Sequence, residues 1–126
     1  MNGASLQLDC ASGRLIGVRS VGCVNYDERP IDTDIDLLVI HGISLPPGQY
    51  GGGYVEQLFT NSLDPTTHPY FATINDAQVS AHVFITRDGA ISQFVPFTKR
   101  AWHAGVSSFQ GRSGCNDYGI GVELEG

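Results

Sequence analysis

The segment Leu37–His41, LLVIH, constrains this chain more than any other. Read as a strand, it puts Ile35, Leu37, Val39 and His41 on one face and Leu38 and Ile40 on the other. Apolar residues on both faces predict a central strand covered from both sides, as in sheets flanked by helices. The run ends in an imidazole and gives way to GISLPPGQYGGG, a Gly- and Pro-rich loop. His41 is therefore expected at the C-terminal edge of the sheet, opening onto irregular backbone, where open α/β sheets place ligands and metals.

Other segments supply the partners of that strand. The alternating arms VSAHVFITR and AISQFVPF flank Asp88-Gly89 and predict a β-hairpin with a tight two-residue turn. Tyr118–Gly126 alternates again, with Ile120, Val122 and Leu124 on one face and Glu123 and Glu125 on the other. In Tyr54–Thr60, Val55, Leu58 and Phe59 fall at helical spacing. Pro69–Ile74 is ambiguous and reads as a short helix at most, Arg14–Arg19 as a short edge strand, and Arg100–Gly105 as a loop. The order strand, helix, hairpin, strand predicts a mixed α/β fold, a central mixed β-sheet with flanking helices, in a single domain over residues 1–126. So little helix for such a sheet predicts that a covering segment belongs after Gly126. Its loss should leave an apolar sheet face open and favour self-association.

Charge and cysteine content narrow the class. A formal net charge of −6 argues against nucleic acid or an anionic membrane as a partner. Much of the acid lies in the run Asp27–Asp36, opposed only by Arg29, and reads as a solvated linker. Three cysteines, Cys10, Cys23 and Cys115, without CxxC spacing, make no disulfide framework and suit a reducing compartment. With no signal-like N-terminus and no segment long enough to span a bilayer, a cytoplasmic location is expected.

The chemistry-bearing residues are few. His41, a strand-end imidazole, is either a zinc ligand or a hydrogen-bonded structural group. His82, inside a predicted strand, reads as a satisfied sheet residue, and His68, before Pro69, as a loop residue. Glu123 is either solvated on an open face or an acid/base group with a raised pKa in a cleft. Trp102 either stacks on a sugar or caps the core. Gly51–Gly53 lacks the context of a phosphate loop, there is no G-x-S-x-G elbow, and no base is identifiable beside a cysteine. A zinc site assembled from His41, His82, His103 or Cys115 alone is disfavoured, because no local spacing brings four ligands together.

Taken together, LLVIHGISLPPG, GGGYVEQLFT, LDPTTHPYF, VSAHVFITRDGAISQFVPF, KRAWHAGVSSFQGR and CNDYGIGVELEG resemble the AmpD-type N-acetylmuramoyl-L-alanine amidases. These belong to the zinc amidase family that includes phage amidase lysozymes and peptidoglycan recognition proteins. The resemblance runs from about Gly17 to Gly126 and implies cytoplasmic hydrolysis of muropeptides in cell-wall recycling. The bond cut would be the amide between N-acetylmuramic acid, or its 1,6-anhydro form, and L-Ala. It implies zinc as cofactor, His41 as the first metal ligand, and Glu123 as general base. Trp102 and His103 would lie beside the substrate groove, with His82 in a supporting or groove-wall role. The family's remaining two ligands and its catalytic lysine fall in a later segment. The complete protein would be a monomer. The alternative, in another class, is a non-catalytic muropeptide-binding module. Gly42, Gln78 and Gly114 depart from the residues usual in this branch, Asn at the first and Arg at the other two, where the stem-peptide carboxylates are recognised.

Overall fold

A computed structural model describes residues 6–126. Its strands are β1 (Gln7–Asp9), β2 (Arg14–Ile16), β3 (Arg19–Ser20), β4 (Tyr26–Glu28), β5 (Leu37–Ile43), β6 (Val83–Ile85), β7 (Ile91–Gln93), β8 (Lys99–Ala101), β9 (Ser108–Phe109), β10 (Arg112–Ser113) and β11 (Gly119–Glu125). The helices are α1 (Tyr54–Phe59), α2 (Phe71–Ile74) and α3 (Cys115–Tyr118). Five strands form the main sheet in the order β3-β7-β6-β11-β5. β11 runs parallel to both β5 and β6, while β6 and β7 are antiparallel. The fold is thus mixed α/β around a mixed sheet, as expected.

The central strand is β11, not β5. Among the described residues β5 pairs with β11 on one side only and forms the sheet edge, which corrects the central placement expected for LLVIH. Its far face is bare: Leu38 and Ile40 are each 59% exposed, and the neighbouring Leu124 is 42% exposed. Apolar residues on both faces identify a strand with two apolar faces, but not which of its edges is paired. β5 also continues past His41 to Ile43, so the imidazole projects from within the strand rather than from its end.

The near face of the sheet carries the core. Val55, Leu58 and Phe59 of α1 pack with Phe71 of α2 and with Phe84 and Phe94 from the hairpin. Phe59 and Phe94 meet edge to face at 5.2 Å. Two buried amides tie loops to this core. Asn25 donates to the carbonyls of Phe59 and Val79 and exchanges hydrogen bonds with Asn61. Gln93 accepts from the Leu15 amide and donates to Gly13 and Val95 carbonyls, which fastens the β1–β2 hairpin.

Three local expectations change. The β6–β7 connection is a three-residue loop, closed by Thr86 N–H to the Ala90 carbonyl and Gly89 N–H to Thr86. Only Gly89 there has positive φ, at 87°, so the turn is a type I turn followed by a left-handed glycine rather than type I′. The acidic run is not a free linker, since Tyr26–Glu28 is a strand paired with β8. Its charges are answered too: Asp27 pairs with Arg100, Asp36 with Arg112, and Glu28 with Lys99. The same pairing makes Lys99–Ala101 a strand, where a loop over Arg100–Gly105 was expected. Among the described residues, no helix is long and apolar enough to cross a membrane.

Candidate active site

Period-two alternation on two neighbouring strands builds the site. Glu123 of β11 stands in register opposite His41 of β5, and opposite Phe84 of β6 on its other side. Register partners on adjacent strands share a face, so His41 and Glu123 project together on the near face. Leu38, Ile40 and Leu124 project the other way. The carboxyl group is nearly enclosed, at 7% exposure. Burial pushes its pKa up from 4.5 to about 7, which makes it a proton acceptor poised near neutrality.

His103 completes the group from the loop after β8. Its backbone N–H and that of Ala104 both donate to the Asn116 side-chain carbonyl, at 3.1 and 2.9 Å. The ring then lies over Gly121, two residues before Glu123. A Cβ on Gly121 would stand 2.4 Å from the His103 Cγ, so only glycine admits the ring there. His103 sits between two other imidazoles, 5.8 Å from the His41 ring and 5.9 Å from the His82 ring. Burial, and then the His82, His41 and Arg29 neighbours, hold its pKa down at about 4.

Four buried polar atoms here have no hydrogen-bond partner among the described residues: His41 Nε2, both ring nitrogens of His103, and Glu123 Oε2. Buried polar atoms are otherwise nearly always satisfied. Their clustering beside one another marks a place built for something polar. A groove of about 390 Å³ opens beside two of its members, His41 and His103, and is lined also by Ala104, Ser107, Phe109 and Cys115 among others; Glu123 is not part of its wall.

The remaining candidates fall outside that cluster. His82 is fully buried, so it cannot line a groove. Its Nδ1 accepts from the Gly121 N–H at 3.0 Å and its Nε2 lies 2.9 Å from the Lys99 carbonyl. Of the two roles expected of it, it takes the supporting one, holding the strand under His103, and not that of a groove wall. Trp102 is half-buried; its carbonyl accepts from the Ser80 N–H and its own N–H donates to the Ser80 hydroxyl. His68 accepts from the Tyr70 amide within its own loop. Cys10, Cys23 and Cys115 are all free thiols. Asn116, Gly121 and Arg29 were not singled out from the sequence. Asn116 and Gly121 sit inside CNDYGIGVELEG, but nothing local says that they meet His103. Arg29 stood out only as the lone cation in an acidic run.

A zinc site is only partly provided for. His41 offers an unpartnered Nε2, yet no three His, Cys, Asp or Glu side chains among the described residues come close enough to hold a metal. Zinc in enzymes takes three protein ligands and a water, so these residues alone do not make the site.

Comparison with known proteins bears on the family. The family described as N-acetylmuramoyl-L-alanine amidase matches residues 31–126. The chain is 58% identical over 114 residues to the 1,6-anhydro-N-acetylmuramyl-L-alanine amidase AmpD of Escherichia coli K12, covering 90% of this chain and 62% of that protein. It is 57% identical to the protein of the same name from Haemophilus influenzae, over 94% of this chain and 64% of the relative. A solved structure described as a selenomethionine AmpD derivative superposes with a TM-score of 0.91 at 57% identity, covering 95% of this chain and 66% of that one. The chain thus spans just under two thirds of the length of the relatives it matches. On the breadth of the family match and the level of identity together, this chain belongs to the N-acetylmuramoyl-L-alanine amidase family.

Proposed function

We propose that the protein acts as an amidase on muropeptides, at the bond between 1,6-anhydro-N-acetylmuramic acid and L-Ala. The observation that carries this reading is the pairing of Glu123 with His41 on neighbouring strands, their polar atoms unpartnered and on one face of the sheet. Glu123 takes the proton of a water attacking the scissile carbonyl and passes it to the leaving nitrogen. Its enclosure keeps that proton exchange away from bulk solvent. The His103 ring, neutral at physiological pH, holds a free nitrogen for the substrate amide, and Trp102 borders the loop that carries it. His82 acts behind them, holding the β11 backbone. The family's zinc would be met here by His41, with further donors still to be supplied, and it would polarise the scissile carbonyl. A cytoplasmic location and a role in cell-wall recycling go with this reading.

The shortage of metal donors among the described residues favours one second reading, a module that binds muropeptide without cutting it. One experiment separates the two. A 1,6-anhydromuramyl-L-Ala peptide is incubated with the chain, with and without added zinc, and followed by mass spectrometry. Release of free peptide that Glu123→Gln abolishes supports the amidase. Saturable binding without release supports the binding module, and the absence of both release and binding refutes both readings.

A further inference from the structure

Arg29 makes five hydrogen bonds through its side chain, and the chemistry above assigns it nothing. It is half-buried and has no carboxylate partner within ion-pair distance among the described residues. Burial, and then the nearby Arg100, lower its pKa. Its guanidinium spends itself on backbone carbonyls instead. Nε donates to Phe97 at 3.2 Å, and Nη2 donates to Phe97 and to Gly119, each at 3.0 Å. Nη1 donates to Asn116 at 3.2 Å and to Asp117 at 3.0 Å. A guanidinium has five N–H groups, so these bonds exhaust it. The carbonyls of Asn116 and Asp117 belong to α3, a helix too short to satisfy them internally.

The acceptors matter for where they lead. Gly119 begins β11, the strand that carries Gly121 and Glu123. Asn116 holds the His103 and Ala104 amides through its side chain. Arg29 therefore grips, at one point, both the start of the strand that delivers Glu123 and the residue that fixes the His103 loop.

The same cation also disposes of His82. Nη2 comes within 3.3 Å of His82 Nε2, but it has no hydrogen left to give. Nδ1 already accepts from Gly121, so the neutral ring carries its proton on Nε2 and donates it to the Lys99 carbonyl. Full enclosure, opposed by that carbonyl but aided by the Arg29 charge, lowers the His82 pKa to about 4. A single tautomer is fixed, and with it the hydrogen bond that pins the Gly121 amide beneath His103.

We propose that Arg29 is a positioning residue, which sets Glu123 and His103 against each other through the α3–β11 junction and the His82–Gly121 hydrogen bond. The catalytic part of this statement rests on the amidase reading; the structural part does not.

The test uses the chain as it stands with Arg29→Lys, which keeps the charge and loses the fork. Backbone hydrogen exchange at His103, Ala104 and Gly121 is expected to become at least about tenfold faster, while the Gly89 amide in the β6–β7 turn keeps its rate. The ring nitrogens of His82, one bare and one protonated in the parent, are expected to average in the variant. Exchange that rises uniformly along the chain, or not at all, overturns the proposal. Asn116→Ala cuts the same route from its other end. It should release His103 and Ala104 but leave Gly121 protected, and continued protection of His103 and Ala104 would also overturn it. Turnover of the anhydromuramyl amide is measured alongside, where Arg29→Lys should lower kcat about 10- to 100-fold with little change in KM. An equal loss in kcat and rise in KM counts against positioning. A parent chain with no turnover counts against the amidase reading alone, and hydrogen exchange still decides the role of Arg29.

Discussion

Replacing Gly121 by alanine is the sharpest single probe of the site. The backbone at Gly121 is not left-handed, so an added methyl meets no conformational penalty of its own. What it meets is the His103 ring: the new Cβ would lie 2.4 Å from Cγ, 2.7 Å from Cδ2 and 2.8 Å from Nδ1. Carbon atoms in contact settle at about 3.5–4.0 Å, so ring and strand must part by about 1 Å or more. Both sides resist. The His103 backbone is bonded to Asn116, and the Gly121 amide and carbonyl are both bonded to His82. Overpacking of this kind costs about 1–3 kcal/mol. With a urea slope of roughly 2 kcal/mol/M for a domain of this size, the midpoint should drop by about 0.5–1.5 M. The ring that moves should also lose its contacts with His41 and His82, read as altered ring-proton shifts and lost cross-peaks among the three imidazoles. Gly22→Ala is the control, because nothing lies within 4 Å of its added Cβ. It should stay within about 0.5 kcal/mol of the parent. If Gly121→Ala matched that control in both stability and imidazole signals, the stacking of His103 on β11 would be wrong.

Three further outcomes are expected. His82 is fully buried with a pKa of about 4 against 6.5 when free. The unfolded chain therefore binds the extra proton between those values. The stability this group contributes is complete above pH 6.5 and is lost as pH falls to 4, by up to about 3 kcal/mol. His103 adds a like contribution in that window and Glu123 an opposite one, so His82→Gln should lower the slope of a pH series of urea titrations by this one share, and an unchanged slope would contradict the burial described here. Asn25→Ala strands the Val79 carbonyl and the Asn61 side-chain amide, leaves Phe59 only the weak Cys23 thiol donor, and should cost about 2–3 kcal/mol by thermal or urea unfolding. Calorimetric titration of zinc into the chain should show no stoichiometric uptake at micromolar metal, since His41 alone is too few donors; tight uptake would mean donors that the described residues do not reveal.

Much of the fold and the heart of the site could be read from residue order, for a physical reason. Alternation has a period of two, so the face that His41 and Glu123 occupy follows from their own strands. The helix at Tyr54–Phe59 and the hairpin around Asp88-Gly89 follow from equally local patterns. What stayed hidden was long-range. The pairing of His41 with Glu123 joins distant segments, and LLVIH gives no sign that only one of its edges is bonded. Arg29 was unreadable because its partners are carbonyls, which every residue carries and no motif announces. Asn116 and Gly121 were visible within a family-like block, yet their purpose is a contact with His103 from another loop.

The bare row of Leu38, Ile40 and Leu124 bears on more than solubility. These side chains alternate with those of His41 and Glu123 along the same two backbones, so the wet apolar side and the reactive side are a single peptide layer apart. Any body that settled on the outer side would brace β5, which among the described residues has only β11 to lean on. It would steady the imidazole and the carboxyl group from behind, without coming near the cleft. In this protein the rigidity of the chemistry and the wetting of its reverse side are one mechanical problem.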